Sequence, residues 1–280
     1  MKNIDLLRLG EKLLISKNIP NPILDAEIIL SNALNTSREN LLINLENKIN
    51  NYKKTKFLEK INSRMQKVPI AYLINKKEFW STEFYVDQRV LIPRPDTELI
   101  VENALKFISN NLCRNILDIG SGSGCILISI LKERKNCKGT CLDISKDALN
   151  VAKFNAKMQH VENRIKFINT NIDNFFSYKY DLIVTNPPYL NKLNISNLEE
   201  DVKCYEPRIA LDGGLDGFSE INKIIKKCSS LMKKNGKLII EVDEYQINKT
   251  IKLLENFGFY PNFVSRDLSG KNRNIISSKI

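Results

Sequence analysis

Apolar residues recur at helical intervals along the first 75 residues. Ile4, Leu7, Leu9 and Leu13 are followed by Ile23, Ala26, Ile29, Leu30 and Ala33, then by Leu41, Leu42 and Leu45, and then by Phe57, Ile61 and Met65. This spacing gives each of several short helices one apolar stripe, which is buried by packing the helices together. Asn21-Pro22 supplies a cap and a first-turn proline for the second of them. A small helical bundle is expected. From Glu78 to Ile92 the run EFWSTEFYVDQRVLI is rich in aromatic and β-branched residues, which favour an extended or hairpin connection. Pro93 and Pro95 then punctuate the entry to the next unit.

After Pro95 the pattern changes. The apolar runs NILDIG, GTCLDI, IKFIN and YDLIVTN alternate with the helical segments CILISILKER and KDALNVAKFNAKM. Strands alternating with helices imply parallel βαβ units in a doubly wound sheet. The last third adds GKLIIEV, a helix around INKTIKLLENF, and FYPNFVSRD followed closely by RNIISSKI. Two strands joined by so short a link predict an antiparallel edge on a mostly parallel sheet. The expected organisation is a helical domain over residues 1–75, an extended or hairpin linker over 76–92 and an α/β domain over 93–280. A mostly parallel, seven-stranded sheet of this kind resembles the class I methyltransferases, a resemblance that implies S-adenosyl-L-methionine as cofactor.

Composition narrows the picture little. Hydrophobic residues make up 42% of the chain, enough for two cores, and no apolar run approaches the roughly 18 residues a membrane span needs. The opening MKNIDLLRLGEKLL alternates charge with leucine instead of building a signal-peptide core, so a cytoplasmic protein is expected. Six scattered cysteines without a C-x-x-C pair, and His160 as the only histidine, argue against a metal site or a disulfide framework. The net charge of +11 is carried mostly by lysine in a chain also crowded with Asn and Ile. Its densest run, Lys53, Lys54, Lys56, Lys60, Arg64 and Lys67, has helical spacing and reads either as a solvated face or as a docking patch.

Leu117-Asp118-Ile119-Gly120-Ser121-Gly122-Ser123-Gly124 follows one predicted strand and opens a helix. Glycines there permit a tight turn and a close backbone approach to a ligand, and the G-x-G-x-G spacing differs from the dinucleotide fingerprint. The next strand ends in Asp143, a carboxylate placed to accept both ribose hydroxyls. After the third strand, Asn171 or Ile172 stands where many methyltransferases carry an acidic residue against adenine: the first could hydrogen-bond the exocyclic amine, the second could pack on the ring.

The fourth strand delivers Asn186-Pro187-Pro188-Tyr189 to the edge of the sheet where open α/β folds bind ligands. An amide nitrogen is a poor nucleophile because its lone pair is delocalised, so a catalyst must hold the NH₂ group and align that lone pair. Asn186 Oδ1 and the Pro187 carbonyl can each accept one N–H, raising electron density on the nitrogen in the transition state. The prolines stiffen the turn and add no competing N–H, and Tyr189 offers a face for a planar group. Such a pocket needs neither histidine nor paired carboxylates.

With these residues in hand, the chain closely resembles the bacterial protein-(glutamine-N5) methyltransferases that modify peptide chain release factors. Besides NPPY and LDIGSGSG, the resemblance rests on Leu91-Ile92-Pro93-Arg94-Pro95-Asp96-Thr97-Glu98 and on the segment from Glu206-Pro207-Arg208 to Gly213-Gly214-Leu215-Asp216-Gly217. It implies methylation of the glutamine in a Gly-Gly-Gln loop of a class 1 release factor, with the helical domain as the substrate-docking part and no stable nucleic-acid partner. It also implies that Arg94, Thr97 and Glu98 close over the methionine end of the cofactor. Glu206-Pro207-Arg208 reads either as a substrate wall or as a turn. One departure stands out: Asp243-Glu244 follows Glu241-Val242 where related sequences often carry glycine. The competing function is a DNA or RNA adenine-N6 methyltransferase, which needs the same NPPY geometry.

Overall fold

The computed structural model describes residues 1–109, 113–177 and 179–280. They divide into two compact units, residues 1–76 with Glu199–Tyr205, and residues Lys77–Leu198 with Glu206–Ile280.

The first unit holds α1 (Asn3–Ile15), α2 (Pro22–Leu34), α3 (Arg38–Ile43), α4 (Asn51–Met65) and α5 (Ile70–Ile74). Of the expected stripes, Leu7, Ala26, Ile29, Leu30, Leu41, Phe57 and Ile61 meet in one core, while Ile23 and Leu42 are exposed and α1 turns Leu6 and Leu14 inward in place of Ile4 and Leu9. Pro22 takes the first turn of α2 as expected, while Asn21 holds the cap position without a side-chain hydrogen bond. The basic run on α4 is spent largely inside this unit. Lys53 Nζ donates to the carbonyl of Leu34 at 3.0 Å, and Lys60 Nζ donates to Asn32 Oδ1 and to the carbonyl of Leu73. Arg64 pairs with Asp25 at 2.7 Å, with both side chains only 9% exposed. These cations tie α4 to its neighbours. Glu199–Tyr205 joins this unit late in the sequence, through a hydrogen bond of 2.6 Å from Tyr205 Oη to the carbonyl of Gln66.

The second unit opens with an antiparallel hairpin of β1 (Lys77–Phe79) and β2 (Thr82–Phe84). Its turn holds Trp80 and Ser81 at φ of 51° and 49°, a left-handed conformation unusual for a bulky side chain. Two bonds stabilise it: Trp80 N–H donates to Glu98 Oε1 and the indole N–H to Glu133 Oε1. There follow α6 (Glu98–Phe107), β3 (Asn115–Ile119), α7 (Cys125–Glu133), β4 (Lys138–Asp143), α8 (Lys146–Met158), β5 (Ile165–Asn169), β6 (Tyr180–Thr185) and α9 (Lys192–Ile195). After α10 (Glu200–Tyr205), which belongs to the first unit, come α11 (Ser219–Leu231), β7 (Met232–Glu241), α12 (Ile247–Asn256), β8 (Phe259–Arg266) and β9 (Asn272–Lys279).

The seven-stranded sheet has the order β5-β4-β3-β6-β7-β9-β8, parallel except where β9 pairs with β7 and β8. The expected antiparallel edge is present. Alternate residues of each central strand serve opposite layers. Ile116, Leu182, Val184 and Ile239 pack with α6 and α7, whereas Leu117, Ile183, Leu238 and Ile240 pack with α11 and α12. Burial on both faces explains why these strands are continuously apolar in sequence.

Candidate active site

β3, β4, β5, β6 and β7 run parallel and deliver their C-terminal ends to one edge. Because β4 and β6 lie on opposite sides of β3, the connections diverge there and leave a crevice, the usual ligand position in open α/β sheets. A cavity of about 560 Å³ occupies it. Gly120, Gly122, Asp143, Asn171, Ile172, Asn186, Pro187 and Pro188 all line it, so the structure brings these predicted residues together. Ser121, Ser123, Gly124 and Tyr189 are not on its wall.

The glycine loop does two jobs. Gly120 sits at φ of 71°, and a Cβ added there would meet nothing within 4 Å, so the backbone is open for a ligand to approach. Gly124, at φ of 79°, serves packing: a Cβ there would lie 2.9 Å from Ile128 and 3.1 Å from Ala152, at the contact of α7 with α8. Ser121 and Ser123 are buried beneath the loop. Asp143 holds the loop in shape, accepting the Gly122 N–H at 2.9 Å on Oδ2 and the Ser145 N–H at 2.9 Å on Oδ1. Burial pushes its carboxyl upward while those N–H groups oppose the shift. Each oxygen keeps a second lone pair for a ligand hydroxyl. Ile119, Leu142, Ile144 and Ile172 make this end of the cavity apolar. Asn171 caps the short turn after β5, its Oδ1 accepting the Asp173 N–H at 3.0 Å. A carboxylate beside apolar walls and an unobstructed glycine backbone fits a nucleoside, with hydroxyls at Asp143 and a planar base against the isoleucines.

The other end is walled by Pro187 and Pro188, by Arg89, Val90 and Leu91, and by the Pro207–Ala210 turn. Asn186 Nδ2 donates to Thr97 Oγ1 at 3.1 Å, behind the cavity. Tyr189 is half-buried against the core under α11 and α12, and its phenol is held well above the ordinary tyrosine range by burial and by Glu241. Arg94, Thr97 and Glu98 do not line the cavity. Arg94 pairs with Glu206 at 2.5 Å, Thr97 meets Asn186, and Glu98 supports the β1–β2 turn. Glu206 is a staple: its Oε2 also accepts the Ile92 N–H at 3.1 Å, fixing the segment that carries Val90 and Leu91.

Two family models match the sequence, "PrmC N-terminal domain" over residues 5–74 and "Methyltransferase small domain" over residues 97–201. The release factor glutamine methyltransferase of Clostridium acetobutylicum is 36% identical over 256 residues, which cover 90% of this chain and 90% of that protein. The chain belongs to the release factor glutamine methyltransferases. The Leptospira interrogans protein of the same name is likewise 36% identical over 283 residues, covering 99% of this chain and 98% of its own length. The fold is shared with a crystal structure of a methyltransferase from Pyrococcus furiosus, at a TM-score of 0.55 and 15% identity over 79% of this chain and 97% of that one.

Within this methyltransferase, the Gly213–Gly217 segment has a structural role that sequence reasoning missed. Leu190 N–H donates to the Leu211 carbonyl and Gly213 N–H returns to the Leu190 carbonyl at 2.8 Å, so the segment lies directly along the chain leaving NPPY. At Gly217 an added Cβ would stand 3.0 Å from Asn191 N and closer still to the Tyr189 carbonyl. Gln246 clamps the same spot, its Nε2 donating to the carbonyls of Tyr189 and Gly217. The departure at Asp243 is accommodated without strain: its φ of −67° suits any residue, and it forms a capping box with Gln246. Arg89, Glu220 and Lys223 also reach the cavity wall. They carry no motif, and only the fold brings them there.

Proposed function

We propose that this methyltransferase transfers a methyl group from S-adenosyl-L-methionine to the side-chain amide nitrogen of the glutamine in the Gly-Gly-Gln loop of a class 1 release factor. The observation that carries the reading is the continuity of one cavity from Gly120 and Asp143 to Asn186, Pro187 and Pro188. A nucleoside-sized end therefore opens into a proline-stiffened end suited to a planar NH₂ group. The relatives' names supply the acceptor. Bound S-adenosyl-L-methionine supplies an electrophilic methyl group on a sulfonium.

The chain's own residues do the rest. Gly120 and Gly122 let the backbone approach the cofactor, Asp143 accepts its ribose hydroxyls, and Asn171 and Ile172 flank the base. Ser121, Ser123 and Gly124 support this loop from beneath. Asn186 Oδ1 and the Pro187 carbonyl accept the two N–H groups of the substrate amide, and Tyr189 anchors the turn from the core side. Holding the amide by both hydrogens orients its nitrogen and disperses the positive charge that grows there. The helical unit, residues 1–75, docks the release factor.

Replacing the Gly-Gly-Gln glutamine by alanine in a purified release factor should erase label transfer from methyl-labelled cofactor. Undiminished labelling of that variant would move the reaction to another residue and overturn this reading of the acceptor.

A further inference from the structure

Parallel pairing of β6 with β7 sets Thr185 opposite Ile240, so Asn186 and Glu241 leave the sheet side by side. Glu241 is only 3% exposed, and its Oε2 finds no hydrogen-bond partner among the described residues. A buried carboxylate left partly unsatisfied costs stability, so its presence calls for a reason. Its polar neighbours are Thr97, itself 3% exposed, and Asn186. Asn186 Nδ2 already donates to Thr97 Oγ1 at 3.1 Å. The three side chains therefore form a connected set behind the cavity wall.

Resting on the reading of Asn186 given above, we propose that Glu241 is a positioning residue for the methyl transfer. Its carboxylate, acting with Thr97, holds the NH₂ of Asn186 away from the cavity so that Oδ1 alone faces the substrate amide. The chemistry is directional. An ionised carboxylate only accepts, so the amide edge turned toward it must be the donor edge. The Thr97 hydroxyl takes one amide N–H and turns its own hydrogen toward Glu241. The negative charge behind the amide also polarises it, making Oδ1 a stronger acceptor as positive charge develops on the substrate nitrogen. A neutral Glu241 could donate its proton to Oδ1 instead, allowing the amide to turn its NH₂ toward the substrate, where it repels the N–H groups it should bind.

Other groups face the same carboxyl. Asp96, before α6, opposes its ionisation and Arg273 on β9 favours it, while Tyr189 approaches from the turn after β6. Burial dominates and pushes the carboxyl up to about 7. The sign follows: the accepting form is populated above that pH, so single-turnover transfer should rise as pH increases through about 7 and level off above it.

Glu241→Gln keeps the volume and removes the charge. At saturating cofactor and release factor its kcat should fall on the order of tenfold to a hundredfold, with KM for the release factor and affinity for S-adenosylhomocysteine held within about twofold. Its rate should also lose the acidic limb near pH 7. Thr97→Val should show the same loss, and Thr97→Ser, which restores the hydroxyl, should recover most of it. Wild-type kcat with the acidic limb intact in Glu241→Gln, or equal rates in the valine and serine variants, would overturn the proposal and leave the role of Asn186 standing. An active Asn186→Ala would instead overturn the reading on which it rests.

Discussion

Asn186→Ala should lower methyl transfer to a release factor on the order of a thousandfold, since it removes an oriented acceptor that works mainly in the transition state. The residue stands at the strand exit with its Nδ2 fixed to Thr97 Oγ1, so alanine takes away the amide without emptying the core. Cofactor affinity should stay close to wild type, because the end of the cavity proposed to hold the nucleoside is lined by Gly120, Asp143 and the isoleucines around them. Asp143→Ala should do the reverse. Loss of the ribose acceptor and of the bonds to Gly122 and Ser145 should weaken binding by about 1–3 kcal/mol. Single-turnover transfer and calorimetric titration with S-adenosylhomocysteine, applied to both variants, separate the two roles. Wild-type transfer by Asn186→Ala, or wild-type affinity in Asp143→Ala, would remove that residue from the site.

The largest loss of stability is expected from Asp25→Ala. Asp25 and Arg64 are both 9% exposed and meet at 2.7 Å, and Arg64 also donates to the Val68 carbonyl at 3.1 Å. Removing Asp25 leaves the buried guanidinium with only the Val68 carbonyl and the more distant Asp201 carboxylate at 3.9 Å, at a cost approaching the about 3–5 kcal/mol of breaking a buried pair. The helical unit should therefore unfold at lower denaturant than in the wild type, as followed by far-ultraviolet circular dichroism. If that unit docks the release factor, KM for the release factor should rise while S-adenosylhomocysteine still binds. An unchanged unfolding midpoint would show that the pair contributes little.

Much of this architecture is legible in the pattern of the chain. The helical bundle follows from apolar spacing, and the parallel sheet follows from short apolar strands alternating with helices. The antiparallel edge follows from the short link between FYPNFVSRD and RNIISSKI, because a parallel return needs a longer crossover. The glycine loop and NPPY are local motifs that the fold carries to one cavity.

What escaped is set by long-range pairing. Glu206 reads as part of a substrate wall or of a turn, yet it bonds Ile92 and Arg94 across more than 100 residues of sequence. Glu241 looks like an ordinary polar residue ending an apolar strand, and only the register of β6 with β7 sets it beside Asn186. The lysines of α4 look like a surface patch. Lys53 and Lys60 instead donate to backbone carbonyls and an amide on neighbouring helices, which leave no mark in the sequence. Glu200–Tyr205 is too short for a periodic signal, and its hydrogen bond to the Gln66 carbonyl spans 139 positions.

The acceptor decides the function, because a pocket like NPPY can hold any planar NH₂ group and discrimination must come from the surfaces around it. The direct measurement offers the purified enzyme methyl-labelled S-adenosyl-L-methionine with a folded class 1 release factor and duplex DNA in the same reaction. A glutamine in a glycine-rich loop can enter a narrow mouth without steric conflict, whereas an adenine must first be unstacked from its duplex. The label should appear in the release factor, with tandem mass spectrometry locating it on the side chain of the Gly-Gly-Gln glutamine, and DNA should remain unlabelled. Label in the DNA and none in the release factor would contradict the account.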